Sequence, residues 1–116
     1  MSRDWTFCLQ DIVECGLRIA SYTQEMSIEE FRHNQLVIDA VIRNLEIIGD
    51  AARQLPQEVT AAIPGVAWAK TAAFGDVLSH HQFGLDSRIV WDLVRTKIPQ
   101  MVSSASTVLD QDRRRM

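Results

Sequence analysis

Few features of this sequence point outward, to secretion, membranes or metals. It has two cysteines in 116 residues, too few to read as a disulfide framework. Both fall inside one helical pattern. Cys8 and Cys15 lie about two turns apart, so their Cα atoms would be roughly 10 Å apart in a regular helix, beyond disulfide reach. Buried free thiols in a reducing compartment are the expectation. No apolar run approaches the roughly 20 residues a bilayer requires, and no membrane partner is expected. The N-terminal MSRDWTFCLQ carries charge and lacks a greasy core with a cleavage site, so a cytoplasmic location is expected. Basic charge is also short: the net charge is −3 and the pI about 5.5. Contact with nucleic acid would need a local patch, because the overall field repels phosphate. No repeat, low-complexity tract or strand signal is present.

What is there is helical periodicity. Hydrophobic residues make up 47% and charged residues 23%, the balance of a globular chain long enough for one domain with its own core. Residues 1–116 are therefore read as a single all-α domain, with 110–116 as a frayed basic tail. From Asp4 to Thr23, Trp5, Cys8, Leu9, Ile12, Gly16, Ile19 and Ala20 recur at helical spacing, with Asp11, Glu14 and Arg18 off that stripe. After a break at 24–27, Ser27 and Glu30 form a capping box. The pattern then predicts one long helix over 28–55. It carries an apolar stripe (Ile38, Val41, Ile42, Leu45, Ile48, Ala52, Leu55) and a second one formed by Val37, Ala40, Ile47 and Ala51. The first and last helices can cover one stripe. A second copy of the chain is expected over the other, although a bundle that wraps the helix completely would also serve.

Pro56 ends this helix, residues 57–63 make loose turns, and Pro64-Gly65 turns the chain. A further helix begins near Ala67, with Gly75 inside it. Asp86 caps the last helix, whose inner side reads Ile89, Val90, Leu93, Val94, Met101 and Val102. Pro99 should kink it or end its first half.

Function has to be sought between Phe74 and Asp86, in FGDVLSHHQFGLD. Two of the three histidines are here, His80 and His81. Asp76 precedes His80 by four residues, so the two share a helix face. A carboxylate there would fix the imidazole tautomer and raise its basicity. His81 points about 100° away. His33 or Glu46 could be imagined as further metal ligands, but no ligand spacing accompanies the double histidine, and no metal or cofactor is expected. On the residues alone the plainer assignment is that both histidines meet the helix's terminal carbonyls. Arg43 and Asn44 interrupt the long helix with polar groups. They read as a solvated strip or as groups aimed at the histidine stretch or a dimer seam.

Four separated blocks then carry a resemblance. LQDIVECGLRIASYT, RNLEIIGDAARQLP, the turn from Pro64 to Trp68, and FGLDSRIVWDLVRTKIP stand in the order found in the HepT-like branch of the HEPN superfamily, from Arg3 to about Val102. The resemblance implies an antiparallel up-and-down bundle of four to five helices that forms a homodimer. It also implies a metal-independent endoribonuclease toxin, paired with a minimal nucleotidyltransferase antitoxin. The family's active motif is an arginine, a polar residue, a histidine four to six residues on, and a tyrosine two further. The two protomers bring their motifs together at the dimer seam. Carried over, His80 matches the motif histidine and Asp76 the polar position. Gly75 stands where the arginine belongs, and Gln82 where the tyrosine that receives AMP from the antitoxin belongs. Losing a charge-stabilising guanidinium commonly costs 10²–10³ in rate, about 3–4 kcal/mol, so the expectation is activity that is weak or lost. Arg43, Arg53 or Lys70 of a partner copy are the candidates to replace it. The other reading is a non-catalytic dimeric module that binds a nucleotide or the nucleotidyltransferase.

Overall fold

The structure, a computed structural model, describes residues 4–80 and 86–115, with the side chains of Ser79 and His80 left aside. The first helix, α1 (Asp4–Thr23), has the bounds the periodicity predicts and buries Leu9, Ile12, Cys15, Gly16 and Ile19. Ala20, placed on that stripe by spacing, is exposed, and Cys15 takes a place inside. Burial pushes the thiols of both Cys15 and the half-buried Cys8 above the ordinary cysteine value.

The long helix expected over 28–55 is two helices. A short α2 (Ile28–Arg32) starts on the Ser27–Glu30 capping box, whose two hydrogen bonds measure 3.0 and 3.1 Å. The chain then breaks, and α3 (Gln35–Gln54) restarts on Asn34. The Asn34 amide oxygen accepts from the Val37 N–H at 3.1 Å, while His33 Nδ1 lies 2.8 Å from the Glu29 carbonyl oxygen. An asparagine that can cap a helix beginning at Gln35 competes with helix continuation. The benefit is a corner that turns Phe31 fully inward, tilted against the Trp91 ring at 5.1 Å.

Leu55 and Pro56 end α3 and lead into α4 (Gln57–Ala61), and Gly65 turns the chain at φ +89°. Helix α5 runs Trp68–His80. Asp86 caps α6 (Ser87–Asp92), its carboxylate accepting from the Arg88 N–H at 2.9 Å. A π-helical turn, Leu93–Lys97, joins α6 to α7 (Ile98–Arg114). Pro99 thus marks the expected interruption, made by this turn just ahead of it. It sits in the first turn of α7, and the wider turn before it, closed by an Ile98 N–H to Leu93 carbonyl bond, accommodates the missing donor. The tail expected to fray is helical through Arg114. Ile89, expected on the inner side, is 56% exposed, while Val90, Val94 and Met101 are buried.

Helix α3 is the centre of the bundle. It packs on α1 and on α5, and α7 packs on α1. Val41, Leu45 and Ile48 meet Leu9, Ile12 and Ile19 of α1, Leu78 of α5 and Met101 of α7 in one buried cluster. Of the second apolar stripe of α3, Ala51 is buried and Val37, Ala40 and Ile47 are half-buried. Three of its four positions keep part of their surface open within one chain. No strand occurs among the described residues, and the fold is an all-α HEPN-like bundle.

Arg95, on the π turn, ties two ends of the bundle together. Its Nη2 donates to the carbonyls of Thr23 (2.7 Å) and Met26 (2.8 Å), and its guanidinium lies 4.3 Å over the Trp91 ring. It supplies the cation at the α1 C-terminus that α1's own last turn lacks.

Candidate active site

The site is built on the crossing of α3 and α5, and the two glycines at that crossing set its geometry. A Cβ placed on Gly75 would lie 3.0 Å from the Gly49 Cα, and one placed on Gly49 would lie 2.8 Å from the Gly75 Cα. Backbone meets backbone here because neither residue has a side chain. Gly75 therefore faces the neighbouring helix and is buried. The position that would carry the motif arginine is a packing contact.

Beside this crossing lies a groove of about 260 Å³, lined by Arg43, Glu46, Ile47, Asp50 and Arg53 of α3 and by Gly75 and Asp76 of α5. Arg53, four residues after Gly49, reaches across to α5. Its Nη2 donates to the Asp76 carboxylate and, at 3.3 Å, to the Ala72 carbonyl oxygen. Its Nη1 lies 3.4 Å from Asp50 Oδ1. Arg43 approaches Glu46 at 3.9 Å. The groove thus sets two guanidiniums against three carboxylates, each within 4 Å of a group of opposite charge.

Among the residues expected at a site, Arg43, Gly75 and Asp76 come together. Asn44 does not join them. It is 7% exposed, and its amide donates back to the Ala40 carbonyl of its own helix at 2.8 Å, so it is a satisfied buried polar residue. His80 is the last residue of α5, four positions after Asp76. His81 and Gln82 lie outside the described residues. The Asp76 carboxylate, expected to orient His80, is engaged by Arg53. Lys70 lines a different cavity, an apolar one of about 370 Å³ walled by Leu45, Ile48, Phe74, Leu93 and Met101. No group of three or more potential metal ligands occurs among the described residues.

The sequence placed Arg53 only as a residue of a partner copy, and the structure brings it to Asp76 within one chain. The signal lay in two mid-helix glycines, Gly49 and Gly75. Each costs about 1 kcal/mol against alanine unless a close approach needs it.

Comparison with known proteins agrees with this architecture. The family model described as "Ribonuclease HepT-like" matches residues 12–108. The chain is 36% identical over 101 residues to "Putative RNase MJ0127" of Methanocaldococcus jannaschii, covering 87% of this chain and 84% of that one. It is also 36% identical over 101 residues to "Probable ribonuclease HepT" of Thermococcus cleftensis, covering 87% and 92%. No solved structure matches significantly. The match spans α3, α5 and the groove between them, and on that extent the chain belongs to the HepT-like ribonuclease family.

Proposed function

We propose that this chain is the toxin-side component of a toxin–antitoxin pair, a homodimeric and metal-independent endoribonuclease of reduced rate in which His80 is the acid–base residue. The observation that supports the reading is a family match over residues 12–108, a range that includes His80, which the resemblance assigns to the motif histidine. In this reading the His80 imidazole takes the proton from an RNA 2′-OH as that oxygen attacks the adjacent phosphorus. The bond to the 5′-oxygen then breaks, leaving a 2′,3′-cyclic phosphate, and the imidazole of the second protomer protonates the leaving oxygen. Val77, 42% exposed and next to Asp76 in sequence, and the half-buried Ile47 of the groove wall offer apolar surface to that second copy. A minimal nucleotidyltransferase is the partner. Gln82 has no hydroxyl to receive AMP, so silencing at that position is not open to it.

The test is cleavage of bulk and transfer RNA by purified protein in EDTA. The expected result is slow cleavage that is lost in His80→Ala. Cleavage that survives His80→Ala, or none at micromolar protein, overturns the ribonuclease reading.

A second reading, a non-catalytic dimeric module that binds a nucleotide or the nucleotidyltransferase, is favoured by one observation. Gly75 is packed against Gly49, so no group at the motif's arginine position faces the groove. Cleavage separates the two: a chain that binds RNA or a nucleotide but leaves RNA intact at micromolar protein supports this second reading, and cleavage that needs His80 removes it.

A further inference from the structure

We propose that Arg53 is the phosphate-binding residue of this groove, supplied from α3 in place of the arginine absent at Gly75, and that Asp76 occupies its guanidinium until a nucleic-acid phosphate displaces it. The inference rests on the ribonuclease reading and names the binding residue of that same site.

Three observations converge on Arg53. The first is its placement. Its Nη2 donates to the Ala72 carbonyl and the Asp76 carboxylate, and positions 72, 76 and 80 follow one another at four-residue spacing on α5. They share one line along the helix, so the guanidinium sits on the same line as position 80, about one turn below it. Four residues rise about 6 Å, so a phosphodiester held by the guanidinium lies about one turn from position 80.

The second is the backbone that puts it there. Gly49 and Gly75 let α3 and α5 approach until a Cβ at either position would be only 2.8–3.0 Å from the other's Cα. Arg53 lies one turn after Gly49, and Asp76 directly follows Gly75. The glycine that stands where the motif arginine belongs is therefore also part of the crossing beside which Arg53 reaches α5.

The third is the state of the pair. Arg53 and Asp76 are 46% and 62% exposed at their side chains, and exposed ion pairs are weak. A phosphodiester offers the guanidinium fork two oxygens and can exchange with the carboxylate. Asp50, 3.4 Å from Nη1, holds the arginine on the groove while it does so.

A purely structural brace between α3 and α5 would involve the same ion pair, so the test has to separate the two. A short, labelled 2′-O-methyl RNA, which cannot be cleaved, is titrated by fluorescence anisotropy against the full chain and its variants, with thermal unfolding measured on each. Arg53→Ala should weaken binding about tenfold and lower the slope of log affinity against log salt by about 0.7, the loss of one phosphate contact on a single strand. Arg53→Lys keeps the charge without the fork and should fall between. Asp76→Asn should tighten binding about threefold, the effect of one screened charge nearby, and that gain should vanish in the Asp76→Asn, Arg53→Ala double variant.

Affinity and salt slope unchanged in Arg53→Ala and Arg53→Lys would overturn the proposal. So would a gain from Asp76→Asn that persists without Arg53, or no RNA binding by the wild-type chain or Asp76→Asn. Cleavage that needs His80 but ignores Arg53 would leave the ribonuclease reading standing and remove this one. Binding that follows Arg53 with no cleavage at all would do the reverse.

Discussion

Gly49→Ala tests the helix crossing on which the site depends. Two effects oppose each other. Alanine gains about 1 kcal/mol over glycine inside a helix. Against that, the new Cβ would lie 2.8 Å from the Gly75 Cα, with the Gly75 N and the Thr71 carbonyl oxygen at 3.3 Å. All three are backbone atoms, so no rotamer change can relieve the contact. The helices must separate along an interface that also holds the fully buried Leu78 and Ile48. Overpacking of this kind costs typically 1–3 kcal/mol, with the upper part of that range expected where backbone must move. The net expectation is a loss of about 1–2 kcal/mol, read as a fall in Tm of roughly 4–8 °C for a chain of this size. Gly75→Ala is the internal control. Its Cβ would lie 3.0 Å from the Gly49 Cα with the next atom at 3.6 Å, a shift of a few tenths of an ångström suffices, and the propensity gain should leave stability nearly unchanged. The assay is thermal and urea unfolding of both variants beside wild type. If Gly49→Ala is as stable as wild type, or if Gly75→Ala is the more damaging, the helices do not meet as closely as argued, and the route by which Arg53 reaches Asp76 is refuted.

Two further predictions concern the frame around the site. Arg95→Ala removes two charge-assisted hydrogen bonds to the α1 end and the contact over Trp91. It should cost about 1–2 kcal/mol in urea unfolding, whereas Arg88→Ala, at an exposed pair, should cost far less. The Asp86 carboxyl is held below its ordinary value, first by the Arg88 backbone N–H and then by the Arg88 side chain. A depressed folded value means its contribution is complete above about pH 4, the unfolded value, and is lost as pH falls through the lower folded one. Asp86→Asn should therefore reduce the loss of stability on acidification in that window, measured as Tm against pH, and a variant with the wild-type acid limb would refute the assignment.

Much of the fold was legible because helical periodicity and caps are local. α1 has the expected ends, the capping box at Ser27 and Glu30 formed as written, and Asp86 capped α6. The break at Asn34 was missed because the apolar pattern runs through it. Its cap becomes worthwhile only when Phe31 finds Trp91, sixty positions later in the chain. The π turn ahead of Pro99 escaped for a similar reason: a proline marks where helix bonding must change but not how the chain absorbs the change.

For the site, the order of residues alone carries the family, the place of His80 four residues after Asp76 and the glycine at position 75. These are facts of order and identity along one strand of text. Where another arginine would stand in three dimensions was decided by tertiary structure alone. The placement of Arg53 on Asp76 follows from the distance between two helix backbones, set by the missing side chains of Gly49 and Gly75. Spacing along a helix fixes which residues share a face, but how closely two faces approach is a property of the pair.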